Sequence, residues 1–473
     1  MNHAIVTNNH ISQHQQDEQQ DNNGLSADSS ATTTVYVVQD TSNNDVPHCE
    51  ITNNNNTNIN MDKDDSIYTR DSNYGDDVPF FYRLKGLIFD EFIKAFSPVY
   101  FVSIMGTGIS SSLLYHFPYP AEWLEICSYI MFGITCICFI VTTTLFILQC
   151  WYFPGRFKAY HVDTAQAVFM GCYSMGYITI VNFIENITDG RHTIFVWVLW
   201  WIAVFSAIYT AFLIVYLSFM SKLNEVDLDA KLNATLLLPI VAITVVSSSG
   251  HQLELKLPTT NQMVVTMIVS FMLWCLSISL AFMIMTIYLH RLIVHKIPPT
   301  NLIFTSFLPV GFLGQSSYSV MLFGVNLHQL IPEELMWGKI LLCICGFFSV
   351  FLLSFGYFQT FVAIMSIFSK IKPFAKSPNP THTNKYGLLK IHKGFWAMTF
   401  PLGTMSLSNT ELGKGVIGDY PLLTFKVMGA IFAAACILIT CACTIGAVVH
   451  TTKRIASLFQ HRSDIDSDDT CKV

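Results

Sequence analysis

The chain of 473 residues is 52% hydrophobic and 12% charged, with a mean hydropathy of +0.45 and a formal net charge of −6. Soluble proteins carry about a quarter of their residues charged, so this composition excludes a soluble globular protein and indicates a polytopic membrane protein. The negative charge lies largely in the two tails and therefore gives no indication of a nucleic-acid partner.

The N-terminal residues 1–78 are rich in Asn, Gln, Asp, Ser and Thr and contain no apolar run of signal-peptide length. Such a segment cannot bury enough apolar surface to fold, so we predict a disordered cytosolic tail. Residues 79–455 are predicted to form one transmembrane transporter domain. Residues 456–473, rich in Asp and Ser, are predicted to be a cytosolic acidic tail.

The region between residues 95 and 450 contains about ten apolar runs, each close to the roughly 20 residues that a helix needs to cross a bilayer. These runs are too long for membrane strands and lack a two-residue alternation. The predicted fold is an all-α polytopic membrane protein with ten transmembrane helices. Lys and Arg concentrate in the loops on the side of the N-terminus, which predicts that both termini are cytosolic.

Five of the runs, alternating with smoother ones, carry a Gly or Pro that is followed within about two helical turns by a cluster of hydroxyl side chains. They are residues 105–112, 173–182, 238–250, 308–319 and 400–409. Proline bends a helix because it removes a hydrogen bond, and glycine lets helices bend or approach closely. The predicted kinks, with the prolines near the middle of their spans, are Gly106, Gly108, Gly176, Pro239, Pro309 and Pro401.

Hydroxyl and amide side chains near these breaks are predicted to line a pore. Such donors, without carboxylates, can solvate a passing anion but do not favour metal cations. A single Ser or Thr in a membrane helix usually bonds its own backbone, so the recurrence in five segments is what favours a pore. The predicted lining residues are Thr107, Ser110, Ser111, Thr179, Ser247, Ser248, Gln315, Ser316, Thr404 and Ser408.

Four further residues near the ends of these runs, Phe400, His392, Lys393 and Asn186, are candidates for other roles. Phe400 precedes the Pro401 kink, where an apolar ring can close a lumen by excluding water, although ordinary packing is the alternative. His392 and Lys393 are predicted either to gather anions at a pore mouth or to be an ordinary positive flank. The sequon at Asn186 falls in a predicted outside loop and is a glycosylation candidate.

The five interrupted segments lack the residues that catalysis and metal binding need. No Asp, Glu or His lies within the five interrupted segments, whereas proton relays, membrane-embedded hydrolases and metal sites require such groups inside the spans. The sequence therefore predicts no enzyme, no metal site and no cofactor. An exporter of small anions is favoured over a dicarboxylate permease, which would gain from a cationic anchor in its pathway, and over a receptor that transports nothing.

Several of these segments resemble the fungal sulfite efflux pump family of the tellurite-resistance/dicarboxylate transporter superfamily, whose more distant relatives are the plant slow anion channels. They are residues 105–132, the sequence KIPP at 296–299, LGQSSYSVMLF at 313–323 and HKGFWAMTFPLGTMSLSNTEL at 392–412. The resemblance covers roughly residues 92–455.

The resemblance implies five helical hairpins, in which odd-numbered helices line a central pore and even-numbered helices form an outer ring. It also implies that the Phe of the TFP motif, here Phe400, is a gate, and that the chain forms a homo-oligomer, a trimer with one pore per subunit. The implied function is export of sulfite from the cytosol across the plasma membrane, with sulfite and the lipid bilayer as the partners.

Overall fold

The computed structural model describes residues 89–220, 233–300, 302–371, 374, 393–415 and 420–470. All regular secondary structure within these ranges is helical. The predicted N-terminal tail, residues 1–78, lies outside them. The ten long helices are α1 Phe101–Tyr115, α2 Glu122–Tyr152, α3 Met170–Thr188, α4 Thr193–Ile208, α5 Leu238–Leu253, α6 Thr260–His295, α7 Leu308–Leu330, α8 Trp337–Phe368, α9 Trp396–Gly413 and α10 Leu423–Thr470.

Helix α10 continues through Thr470, so the backbone of the predicted C-terminal tail is helical over most of its length. Two π-helical turns, Tyr209–Ile214 and Tyr216–Met220, extend α4. A π-helical segment, Phe89–Lys94, precedes α1 and contacts α2.

Each odd-numbered helix follows a short helical turn. The turns are Pro98–Tyr100 before α1, Thr164–Ala167 before α3, Ala234–Leu237 before α5, Ile303–Phe307 before α7 and Lys393–Phe395 before α9. All but Thr164–Ala167, which is α-helical, are 3₁₀ turns. The chain therefore enters each of these helices through a short, separate turn.

The positions of the prolines correct one prediction. Pro239 and Pro309 lie in the first turn of α5 and α7, not in the middle of a span. The missing N–H of proline costs nothing in a first turn, because the N–H groups there have no helical partner. These two prolines start helices, whereas Pro401 lies inside α9 as predicted.

The five odd-numbered helices contact one another in a closed ring. Helix α1 packs on α3, α3 on α5, α5 on α7, α7 on α9, and α9 returns to α1. Each even-numbered helix packs on the odd-numbered helix before it and also touches the one after it, with α10 reaching α1. The odd-numbered helices thus form an inner ring around a central axis, and the even-numbered helices lie outside it.

Burial follows the same alternation. In the most apolar 18-residue window of each span, 94% of the residues of the α5 span and 67% of those of the α3 span are buried, against 11% for α2. Among the described residues, seven helices are long and apolar enough to cross a membrane, and α1, α7 and α9 are not among them. The inner helices need not be uniformly apolar, because they face protein and not lipid.

The glycines predicted as kinks lie where inner helices approach closely. A Cβ on Gly106 would lie 2.5 Å from Thr399 Oγ1 of α9, and one on Gly176 would lie 2.8 Å from a methyl carbon of Ile104. A Cβ on Gly108 would overlap the Thr179 hydroxyl. Helices α1 and α3 run through these positions without interruption. The structure therefore places these glycines at packing contacts, which is the second of the two roles predicted for them.

Candidate functional site

The face of α9 that points to the central axis carries Phe400. Gly403 faces α1, since a Cβ there would meet Ile109, and Thr404 faces α7, since it lies against Gly314. Successive helical residues turn by about 100°, so Phe400 lies about 60° from Gly403 and about 40° from Thr404, between the two. Between α1 and α7 is the ring axis, toward which the Phe400 ring is directed.

The same geometry orients α7. Gly314 lies against the α9 backbone, with a Cβ position 2.7 Å from Met405 N. Gln315 faces α5, because its Nε2 donates a hydrogen bond to Ser248 Oγ. The side chains of α7 that point between α9 and α5 face the axis, and Gln315 lies at the α5 edge of this face.

Ser248 occupies the axial face of α5. Ser247 bonds Ser319 of α7 at 2.9 Å, and Ser249 donates a hydrogen bond to Asn182 of α3. Ser248 lies midway between these two neighbours on the helix, so its side chain points between α3 and α7. The predicted pore residues Ser248, Gln315, Thr404 and Phe400 therefore lie on or beside the axial faces of three inner helices.

The centre of the ring is closed at this level. Phe400 and Gln315 are each 3% exposed, Ser248 is 1% exposed and Thr404 is 0% exposed. Gln315 Oε1 is buried without a hydrogen-bond partner. The five interrupted segments contain no Asp, Glu, His, Lys or Arg that could hold an ion tightly. The uncharged donors at this level therefore suit weak, reversible contact with an anion.

Three predicted lining hydroxyls, those of Ser110, Ser247 and Ser408, hold helices together, which corrects their assignment. Ser110 donates to Thr440 of α10 at 2.8 Å, and Ser247 donates to the Ser270 carbonyl of α6 at 2.7 Å. Ser408 bonds Ser317 of α7 at 2.5 Å. Ser316 also lies beside α6, where its backbone carbonyl accepts from Trp274 Nε1 at 3.0 Å, but its hydroxyl is buried without a hydrogen-bond partner among the described residues. A buried hydroxyl in a membrane protein gains from such a partner, and a regular repeat in sequence cannot distinguish this from pore lining.

Four others bond the carbonyl of a residue three or four positions earlier, as a single Ser or Thr in a membrane helix usually does. They are Thr107 to Ser103 at 2.9 Å, Ser111 to Gly108 at 2.7 Å, Thr179 to Gly176 at 2.7 Å and Thr404 to Pro401 at 2.9 Å. Of these, Thr404 lies nearest the axis. Gly176 of α3 and Gly403 of α9 both lie against α1. By helical position, Thr107 lies on the opposite side of α1 from these two glycines.

Of the two predicted mouth residues, His392 lies outside the described residues. Lys393 is exposed and begins the turn before α9, with Nζ 5.7 Å from the centre of the Tyr100 ring. This cation–π contact links the N-terminal ends of α9 and α1. Lys393 therefore lies at the end of the ring that is predicted to be cytosolic.

The opposite end of the inner ring holds buried charged groups that the sequence interpretation missed. Glu185 of α3 forms an ion pair with Lys256 and accepts from Gln252 at 3.1 Å. His251 Nδ1 lies 3.0 Å from Glu254 Oε2, and Asn326 of α7 donates to Glu254 Oε1 at 2.7 Å.

Glu411 of α9 is also buried and forms an ion pair of 2.7 Å with Lys414. The interrupted segments do lack Asp, Glu and His, but the helices extend beyond them and carry these groups in their last turns. Continuing the helical period past each hydroxyl cluster would have found them. Within the described residues, no group of three or more His, Cys, Asp or Glu is placed to hold a metal ion.

Asn186 is a correction to the glycosylation prediction. It lies in the last turn of α3, is 8% exposed, and its Oδ1 accepts a hydrogen bond of 3.0 Å from Gln252 Nε2. A glycan needs a free, accessible amide. We expect peptide-N-glycosidase F to leave the mobility of the cell-derived protein unchanged; a shift that an Asn186→Gln variant abolishes would contradict the structure at this helix end.

Comparison with known proteins identifies the family of the chain. The model of the SLAC1 family, described as "Voltage-dependent anion channel", matches residues 95–448. A protein of Candida albicans named "Sulfite efflux pump SSU1" is 71% identical over 368 residues, covering 78% of this chain and 76% of that protein. Proteins of the same name from Saccharomyces cerevisiae and Arthroderma benhamiae are 32% and 29% identical, covering 76% and 74% of this chain and 89% and 88% of their own lengths. The chain is a helical membrane protein that belongs to the SLAC1 anion channel family.

Proposed function

We propose that this chain exports sulfite, as hydrogensulfite or the dianion, from the cytosol to the outside and so confers resistance to sulfite. The observation that carries the proposal is the uncharged axial face of the inner ring, which carries Phe400, Gln315 and Ser248. Three relatives named as sulfite efflux pumps support the choice of substrate.

The closed ring suits a gated pathway. Phe400 fills the axis, and its displacement is the step that opens the passage. Gln315 then exchanges its hydrogen bond to Ser248 for one to the anion, so the amide N–H groups solvate the anion as water leaves it. Neither contact is charge-assisted from the protein side by a Lys or Arg, which keeps binding weak and release fast.

Passive export is energetically feasible. An inside-negative membrane potential favours exit of each negative charge by about 2.3 kcal/mol per 100 mV. A gated pore therefore needs no second ion to drive anions outward. We propose ten spans in five hairpins, both termini in the cytosol, a plasma-membrane location and a homo-oligomer with one pore per subunit; the alternation of buried and lipid-exposed helices supports the spans.

Flux through purified protein in lipid vesicles tests this function. With an imposed potential, we expect sulfite flux well above that of protein-free vesicles and malate flux about tenfold or more lower, because the axial face offers no cationic anchor for a second carboxylate. Malate flux equal to or above sulfite flux would favour a dicarboxylate permease. No flux of any anion would favour a receptor without transport. Protein-free vesicles of the same lipid are the matched control.

A further inference from the structure

Tyr318 lies on the axial face of α7, one turn beyond Gln315. It follows Gly314 by four residues and Gln315 by three, so it lies about 40° and about 60° from them around the helix. Gly314 faces α9 and Gln315 faces α5. The Tyr318 ring is therefore directed between α5 and α9, toward the axis, on the side of Phe400 that leads to the end with the buried charged groups.

Tyr318 keeps accessible surface that Phe400 and Gln315 lack. Its neighbours Ser317 and Ser319 are fully buried, whereas Tyr318 itself is half-buried. Leu407 of α9, which occupies the same axial direction seven residues after Phe400, is also half-buried. Two side chains that point into the ring and keep accessible surface line a recess beside the axis. Within the described part of the chain, the Tyr318 hydroxyl has no hydrogen-bond partner.

Two carboxylates lie within electrostatic range of this phenol. Glu185 of α3 and Glu411 of α9 both interact electrostatically with Tyr318, although they belong to different helices of the ring. Each carboxylate is paired with a lysine, Glu185 with Lys256 and Glu411 with Lys414. The pairing leaves the phenol O–H as an unengaged donor facing the recess.

We propose that Tyr318 forms an outer binding site for the departing oxyanion, to which its hydroxyl donates a hydrogen bond. This inference rests on the proposed function and adds the residue that receives the anion after Phe400. The phenol is a neutral donor, so it holds the anion without trapping it. The carboxylates of Glu185 and Glu411 disfavour a longer stay, because like charges repel at close range.

The test is the dependence of sulfite export on the sulfite concentration inside vesicles. A Tyr318→Phe variant keeps the ring and removes only the hydroxyl. We expect its half-saturating sulfite concentration to rise about tenfold or more, as for the loss of one hydrogen bond to a charged group, with a maximal rate at least equal to that of the wild type. The matched control is Tyr177→Phe, because the Tyr177 hydroxyl of α3 faces outward and donates to the Leu199 carbonyl of α4 at 3.3 Å.

Two outcomes separate this inference from the function on which it rests. A wild type that exports sulfite, together with a Tyr318→Phe variant of unchanged half-saturating concentration, would overturn the site and leave the function intact. A wild type that moves no sulfite would overturn both. A Tyr177→Phe variant with the same rise as Tyr318→Phe would also overturn the site, because the effect would then not depend on facing the axis.

Discussion

Replacing Phe400 with Ala is expected to raise basal anion conduction about tenfold or more, which corresponds to removing about 1.4 kcal/mol from the barrier. The ring points to the axis of the inner helices and is 3% exposed, so it fills the space through which an anion must pass. Without the ring, water can enter and solvate the anion throughout the passage. The measurement is the sulfite current of whole cells at fixed surface expression.

The matched control for this variant is Phe323→Ala. Phe323 also belongs to an inner helix, but its ring stacks on Phe271 of α6 at 4.4 Å, on the outward side. Loss of a fully buried phenylalanine such as Phe400 costs roughly 3–5 kcal/mol of stability, and loss of the half-buried Phe323 costs less, so both variants should melt at lower temperature. Only Phe400→Ala should conduct more. Equal currents from Phe400→Ala and the wild type would remove this residue from the gate.

Replacing Gly314 with Ala is expected to destabilise the protein by about 1–3 kcal/mol or more, because the added methyl group has no space. A Cβ at this position would lie 2.7 Å from Met405 N and 2.8 Å from the Thr404 carbonyl carbon, which are backbone atoms of α9. Backbone cannot move aside as a flexible side chain can, so α7 and α9 must separate. The measurement is the melting temperature of the detergent-purified protein.

The outer helix α2 supplies the control for the glycine. A Cβ on Gly133 would meet nothing within 4 Å. Alanine is a better helix former than glycine by up to about 1 kcal/mol, so Gly133→Ala should keep or raise the melting temperature. If Gly314→Ala and Gly133→Ala melted alike, the close approach of α7 and α9 would not be a determinant of stability.

Much of the architecture can be predicted from local pattern. Long apolar runs predict membrane helices because the bilayer sets their length, and the alternation of interrupted and smooth runs predicts which helices are buried. In the structure, α1, α3, α5, α7 and α9 contact one another in a closed ring. The interruptions themselves were harder to interpret. Pro239 and Pro309 start helices, and the sequence did not show this because it does not show where the first unpaired N–H of a helix lies.

The direction of each side chain was decided by tertiary structure alone. Ser247 and Ser248 are adjacent in sequence and equally polar, yet one bonds the outer helix α6 and the other faces the axis. Which face of a helix meets the axis depends on its rotation against two neighbours, and these neighbours are distant in sequence. Composition and periodicity therefore determined a helical membrane protein with a polar inner set, while packing determined that Phe400, Gln315 and Tyr318 share its centre, because only packing sets helix rotation.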